Sequence, residues 1–388
     1  MKRIAIFLDG TWNTLENNTN VWRLKALCES QSRDQLVYYG KGVGTTFGER
    51  IRGGTMGVGL DREILGAYEW LIEVFNPGDE IFIFGFSRGA YAARSLSGLI
   101  AKCGVLRAGA PLSIEQLFAR YRQYTARTLA TILTDGAPGD LEERWMAKYC
   151  IATPIRFVGV WDTVGAVGLP FLPLRERVQK FRFFDTHLRK QNELAFHALA
   201  LDEQRKAFEP TFWTRTIDKH APVSPERPPS QVEQRWFVGA HANVGGGYPS
   251  DILAQPALMW IMDKAQGAGL AFRPAFSVEP QDPCAPVADS YAGFTPAVLR
   301  PLFPRFNRVV GAEPDRGTQR TTSRINETID VSVFHRWQNN PAYRPPGLAE
   351  WCKRKGVDPA DIRTSVRADT PRRWCPDRNV CCRIGRLR

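Results

Sequence analysis

Early in the chain, five residues have the types and spacing of an activated nucleophile: Gly85-Phe86-Ser87-Arg88-Gly89. The apolar run before them, Ile81 to Phe84, reads as a buried strand. Ala90 to Ile100 after them, rich in Ala and Leu, reads as a helix. A sharp strand-to-helix turn holds a serine in a strained backbone conformation and lifts its hydroxyl above the sheet. Small residues are then required at Gly85 and Gly89, where strand and helix almost touch. The N–H groups of the first helical turn face the same point and favour negative charge there. The plain alternative is an ordinary turn with a capping serine.

A serine is a poor nucleophile until a base takes its proton and a carboxylate orients that base. Three expected strands end in suitable side chains: Ser87, then Asp162 after Ile155 to Trp161, then His241 after Glu233 to Val238. Nucleophile, acid, base is the chain order of α/β-hydrolases. Of the five histidines, His187, His197, His220 and His335 fall in expected helices or loops and read as structural or exposed. Asp202 is a rival acid, since it too approaches this region. The oxyanion hole is expected from the Arg88 N–H together with the Gly10-Thr11 loop. Asp9 and Asn13 would hold that loop, or serve only its turn.

The elements that must position these groups read as α/β: a mostly parallel central sheet, helices on both faces, and a helical insertion over about 108–150. Strands are expected at 3–8, 36–39, 81–84, 155–161 and 233–238. Helices are expected at 20–30 with Asn20 as N-cap, 61–75, 188–201, 252–270 and near 326–337. The stretch 40–59 holds eight glycines. It lacks a Gly-x-Gly-x-x-Gly after a strand, which argues against a dinucleotide site and for a long loop. Val164 to Phe184 carries Val167, Leu169, Phe171, Leu172, Phe181, Phe183 and Phe184. This makes about 164–186 a lid candidate, or else buried packing.

The 388 residues carry a net charge of +12 and 43% hydrophobic side chains. No run of 18 apolar residues suggests a membrane span. The N-terminal apolar segment ends at Asp9, too short for a secretory signal, so the expected location as made is cytoplasmic. Eight scattered cysteines read as free thiols. Residues 1–345 read as the catalytic domain and 346–388 as a basic, Cys-containing tail. From Lys353 to Arg388 there are 11 Lys or Arg against 4 Asp. This charge either steers the protein to an anionic membrane surface or leaves a solvated tail; Trp351 and Trp374 argue instead for packing. Nothing resembles a nucleic-acid module, and no metal or cofactor is expected in the chemistry.

Six ordered motifs resemble the α/β-hydrolase domain of type VI secretion phospholipase effectors. They are Asp9-Gly-Thr-Trp-Asn13, Gly42-Val-Gly-Thr45, Gly85-Phe-Ser-Arg-Gly-Ala90, Gly159-Val-Trp-Asp-Thr-Val-Gly165, Ala198-Leu-Ala-Leu-Asp-Glu203 and His241-Ala-Asn-Val-Gly-Gly-Gly-Tyr248. The resemblance covers about 3–270. It implies a serine esterase acting on phospholipid acyl esters (phospholipase A type), with Ser87, Asp162 and His241 as nucleophile, acid and base. It also implies delivery to a neighbour's envelope, with a secretion-apparatus or immunity protein as partner. Asn243 departs from the family's usual Asp. The competing readings are a carboxylesterase of small soluble esters and a non-catalytic basic surface-binding protein.

Overall fold

A computed structural model of the chain describes residues 1–10, 18–30, 32–42, 56–123, 125–165, 188–218, 226–249, 252–273, 282, 284–295, 297–317, 320–362 and 381–383. The first half runs β1 (Arg3–Leu8), α1 (Asn20–Leu27), β2 (Gln35–Gly40), α2 (Met56–Val74), β3 (Glu80–Phe86) and α3 (Arg88–Cys103). Two short strands, β4 (Val105–Leu106) and β5 (Cys150–Ile151), then bracket the helices Ile114–Arg122, Leu129–Asp135 and Leu141–Tyr149. These three helices are the expected insertion. The chain continues through β6 (Ile155–Trp161), β7 (Asn192–Ala200), β8 (Thr214–Asp218) and β9 (Val232–Phe237). The last strands are β10 (Asp315–Arg316), β11 (Arg320–Arg324), β12 (Glu327–Asp330) and β13 (Cys381–Arg383).

The central sheet has eight strands in the order β13-β12-β9-β7-β6-β3-β1-β2. All its pairs are parallel except β12 with β13. β1 and β3 are neighbours, but the chain leaves β1 toward one edge and β3 toward the other. Carboxyl ends of strands at such a reversal leave a crevice where α/β proteins place their sites. Tyr68, Leu96 and Leu99 of α2 and α3 pack on one face with Ile4, Ile6 and Ile83. Val21 and Leu24 of α1, with Leu258 and Ile261 of the helix Ala254–Gly267, cover the other face over Phe7, Phe84 and Phe157. The fold is α/β-hydrolase-like, as the motifs lead one to expect.

Several local expectations are corrected. Residues 188–201 read as a helix from their Ala and Leu content, but Asn192–Ala200 is strand β7. It lies between β6 and β9, and its residues 195–200 are all buried. Ladder pairing and two-sided burial override intrinsic propensity here. The expected helix near 326–337 begins as strand β12 and becomes helical only at Val331, with Asp330 capping. Thr19, not Asn20, is the N-cap of α1. Asn20 is instead buried and donates to the Val244 and Ala254 carbonyls.

The expected boundary at 345 cuts through a packed region. Helix Pro346–Lys355 places Leu348, Trp351 and Cys352 in a cluster with Leu199, Trp236 and Phe334. Of the two readings of this segment, buried Trp351 supports the packed one. Cys381 and Cys382 lie in β13, while Trp374 and Cys375 lie outside the described residues. So does most of the lid candidate, at 166–186.

Candidate active site

The turn after β3 is built as the glycines demand. Ser87 has φ 59° and ψ −120°, a left-handed conformation that a non-glycine residue adopts only when its surroundings impose it. A Cβ on Gly85 would fall 2.3 Å from the Gly89 carbonyl oxygen. One on Gly89 would fall 2.2 Å from the Leu8 oxygen. Both close approaches bring α3 down onto the ends of β1 and β3. The Ser87 N–H donates to the Trp161 carbonyl at 3.1 Å, tying the turn to the end of β6.

Asp162 is the next residue after Trp161, fully buried and also at positive φ, 37°. His241 opens a short helix, His241–Gly245, at the end of β9. The three side chains meet. His241 Nδ1 lies 2.5 Å from Asp162 Oδ2, and Nε2 lies 2.8 Å from Ser87 Oγ. With the carboxylate accepting from Nδ1–H, Nε2 is the acceptor facing the serine hydroxyl. The imidazole is held between two rings: Phe86, tilted at 4.7 Å, and Phe208, edge-on at 4.9 Å.

Asp162 stays ionised despite complete burial. Desolvation pushes its carboxyl up, but Arg308 and His241 together outweigh that and hold it well below the usual carboxylate range. The rival Asp202 does not face the imidazole. Its Oδ2 accepts from the Gly239 N–H at 2.7 Å and the Tyr343 hydroxyl at 3.0 Å. Burial pushes it up to about 6. His197 is a buried strand residue whose Nε2 accepts from the Thr163 N–H; burial lowers it to about 3, so it is neutral and structural.

The supporting residues sort by their partners. Asp9 Oδ1 accepts from the Gly10 N–H at 2.7 Å, and Oδ2 accepts from the Thr19 and Tyr39 hydroxyls. The Gly10 N–H, expected at the oxyanion, is therefore engaged by Asp9. Thr11 and Asn13 lie outside the described residues. Arg88 begins α3, where its N–H belongs to the first turn; burial lowers its guanidinium to about 10. Asn243 Oδ1 accepts from the Ala240 and Ala288 N–H groups, so an amide oxygen suffices to cap the histidine helix. Among the described residues no group of three or more His, Cys, Asp or Glu is arranged to hold a metal ion.

Three residues escaped sequence reasoning. Glu203 accepts from the His241 N–H at 3.1 Å and the Ser290 hydroxyl at 2.9 Å, and is paired with Arg205. It holds the backbone of His241. Phe208 supplies the second ring on the imidazole, with the Arg205 guanidinium stacked 3.5 Å above it. Arg308 clamps Asp162 from behind. Only Glu203 lay within a recognised motif, next to Asp202.

The chain is similar to several known proteins. The model of the type VI secretion phospholipase effector Tle1-like catalytic domain matches residues 2–264. An uncharacterized protein of Saccharomyces cerevisiae, YEL023C, is 28% identical over 233 residues, covering 55% of this chain and 33% of its own length. The chain thus spans about a third of that relative. An uncharacterized Pseudomonas aeruginosa protein of known crystal structure aligns over 70% of this chain and 46% of its own, at 19% identity and a TM-score of 0.44. The Tle1 effector bound to the VgrG spike of the type VI secretion system aligns over 64% and 51%, at 19% identity and a TM-score of 0.36. Since the family model covers more than half of its residues, the chain belongs to the type VI secretion phospholipase effector family, Tle1-like catalytic domain.

Proposed function

We propose that the protein is a serine hydrolase of phospholipid acyl esters, working through Ser87, His241 and Asp162. The observation that carries this reading is the unbroken contact from the Ser87 hydroxyl through His241 to Asp162, at 2.8 and 2.5 Å. His241 Nε2 takes the hydroxyl proton as Ser87 Oγ bonds to the ester carbonyl carbon. The carbonyl oxygen becomes an anion, facing the Arg88 N–H at the start of α3. As the ester C–O bond breaks, the imidazolium returns its proton to the leaving alkoxide, giving a lysolipid and acyl-Ser87. Water then gives its proton to His241, adds to the acyl carbon and releases the fatty acid, and the proton returns to Ser87.

Two features support lipid over a small soluble ester. The first is family membership. The second is the aromatic path from the base to the surface: Phe208 meets Phe294 at 6.0 Å, and Phe294 is 42% exposed. Val298 and Leu302 on the same segment are 81% and 72% exposed, an apolar surface suited to acyl chains. Delivery by a type VI apparatus, with a spike or immunity protein as partner, belongs to the same proposal.

The test combines a fluorophosphonate probe with a defined phospholipid. Labelling that is lost in Ser87→Ala, with release of fatty acid and lysolipid, is the expected result. Labelling with turnover confined to acetate or butyrate esters would favour the carboxylesterase. Absence of labelling in folded protein would leave a surface-binding role.

A further inference from the structure

The motifs end before residue 270, yet the acid of the site is held by a residue far beyond them. Arg308 is 2% exposed, and its guanidinium makes a fork on Asp162. Nη1 donates to Oδ1 at 2.6 Å and Nη2 to Oδ2 at 2.9 Å. The same nitrogens donate to the Ala200 carbonyl at 2.6 Å and the Phe208 carbonyl at 2.5 Å. Each carboxylate oxygen thus has two partners: Oδ1 takes Arg308 and the Ala200 N–H, and Oδ2 takes Arg308 and His241. The carboxylate has no rotation left to it.

Arg308 is itself held by the C-terminal helix. A Cβ on Gly347 would lie 2.0 Å from the Arg308 carbonyl oxygen, so Pro346–Lys355 rests directly on this backbone. Arg354 reaches over and donates to the Val310 and Gly311 carbonyls at 2.6 and 3.0 Å.

We propose that Arg308 is a positioning residue of the hydrolase, which locks the Asp162 carboxylate toward His241 and places a fixed positive charge behind the pair. The inference rests on the proposed serine-hydrolase reading. A planar fork matches a carboxylate geometrically, and no other side chain could also reach two carbonyls. Electrostatically, the guanidinium offsets the charge that would otherwise stabilise an imidazolium. Among the described residues, the other charged or titratable groups around the pair are engaged elsewhere or neutral. Glu203 is paired with Arg205, Asp202 is held by Gly239 and Tyr343, and His197 is buried and neutral.

The test is the pH dependence of kcat/KM on a soluble ester for full-length wild type, Arg308→Gln and Arg308→Lys, with circular dichroism to confirm folding. In Arg308→Gln the acid limb moves up by about one pH unit, because a positive charge within hydrogen-bonding distance is gone. In Arg308→Lys the charge remains, so the limb stays near that of wild type. Its kcat falls roughly tenfold, because one ammonium cannot hold both oxygens. A purely structural role would lower the melting temperature and leave the limb in place. A folded Arg308→Gln whose profile superimposes on that of wild type overturns the proposal. If Arg308→Gln does not fold, Arg308→Lys decides, and wild-type kcat there overturns it. A wild type that neither turns over ester nor takes up a fluorophosphonate removes the hydrolase reading itself, a distinguishable failure.

Discussion

Phe86 and His241 lie ring against ring, 4.7 Å apart at 33°, and Gly245 is the reason they can. A Cβ on Gly245 would sit 1.9 Å from the Phe86 ring. Phe86 precedes Ser87 and Gly245 ends the helix that His241 begins, so this contact sets the separation of Ser87 and His241. Gly245→Ala must displace the ring or the helix. We expect kcat to fall by roughly tenfold to a hundredfold with KM nearly unchanged, since small misplacements of a base are costly. Steady-state kinetics on a soluble ester checks this, and an unaltered kcat would mean Phe86 yields without moving His241.

The acid can be identified by substitution. Ser87→Ala, His241→Ala and Asp162→Asn should each lower ester turnover by several orders of magnitude, as members of a cooperating unit do. Asp202→Asn should retain most of its turnover, because an amide oxygen can still accept from Gly239 and Tyr343. A dead Asp202→Asn beside an active Asp162→Asn would reverse the assignment.

Asp202 should matter to stability instead. Burial raises its folded-state pKa from the ordinary 3.8 to about 6. Its contribution is therefore full below the unfolded value and is lost as pH rises through about 6. Asp202→Asn removes that loss. The melting temperature of the variant relative to wild type should be higher at pH 7.5 than at pH 4 by roughly 2–4 °C. Calorimetry at the two pH values measures the difference, and an equal or opposite offset would contradict the burial argument.

The C-terminal helix should be indispensable to soluble-ester turnover as well as to any membrane effect. Trp351 is fully buried against the core, and large-to-small changes at such sites cost about 3–5 kcal/mol. Trp351→Ala should show a marked loss of melting temperature, and truncation after Pro345 should remove activity on soluble and vesicle substrates together. A truncated protein that still cleaves a soluble ester, losing only vesicle binding, would restore the view of 346–388 as a detachable basic tail.

The sequence by itself determined the tight turn at Ser87, the strand-end placement of Ser87, Asp162 and His241, and the α/β layering. Each is written locally: an apolar run of strand length, a glycine where backbones touch, a reactive side chain at the strand's end. β7 was not legible, because Asn192–Ala200 has helical composition and becomes a strand only between β6 and β9. Nor was Thr19 at the cap of α1, since Asn20 beside it is an equally good capping residue until its side chain is drawn to Val244 and Ala254. Arg308 stands 146 positions from Asp162, and Phe208 meets His241 from the far side of β8 and β9 in the chain, with no periodicity to mark either. Contacts of that kind are decided by which surfaces the packed sheet brings together, and the tertiary structure alone reveals them.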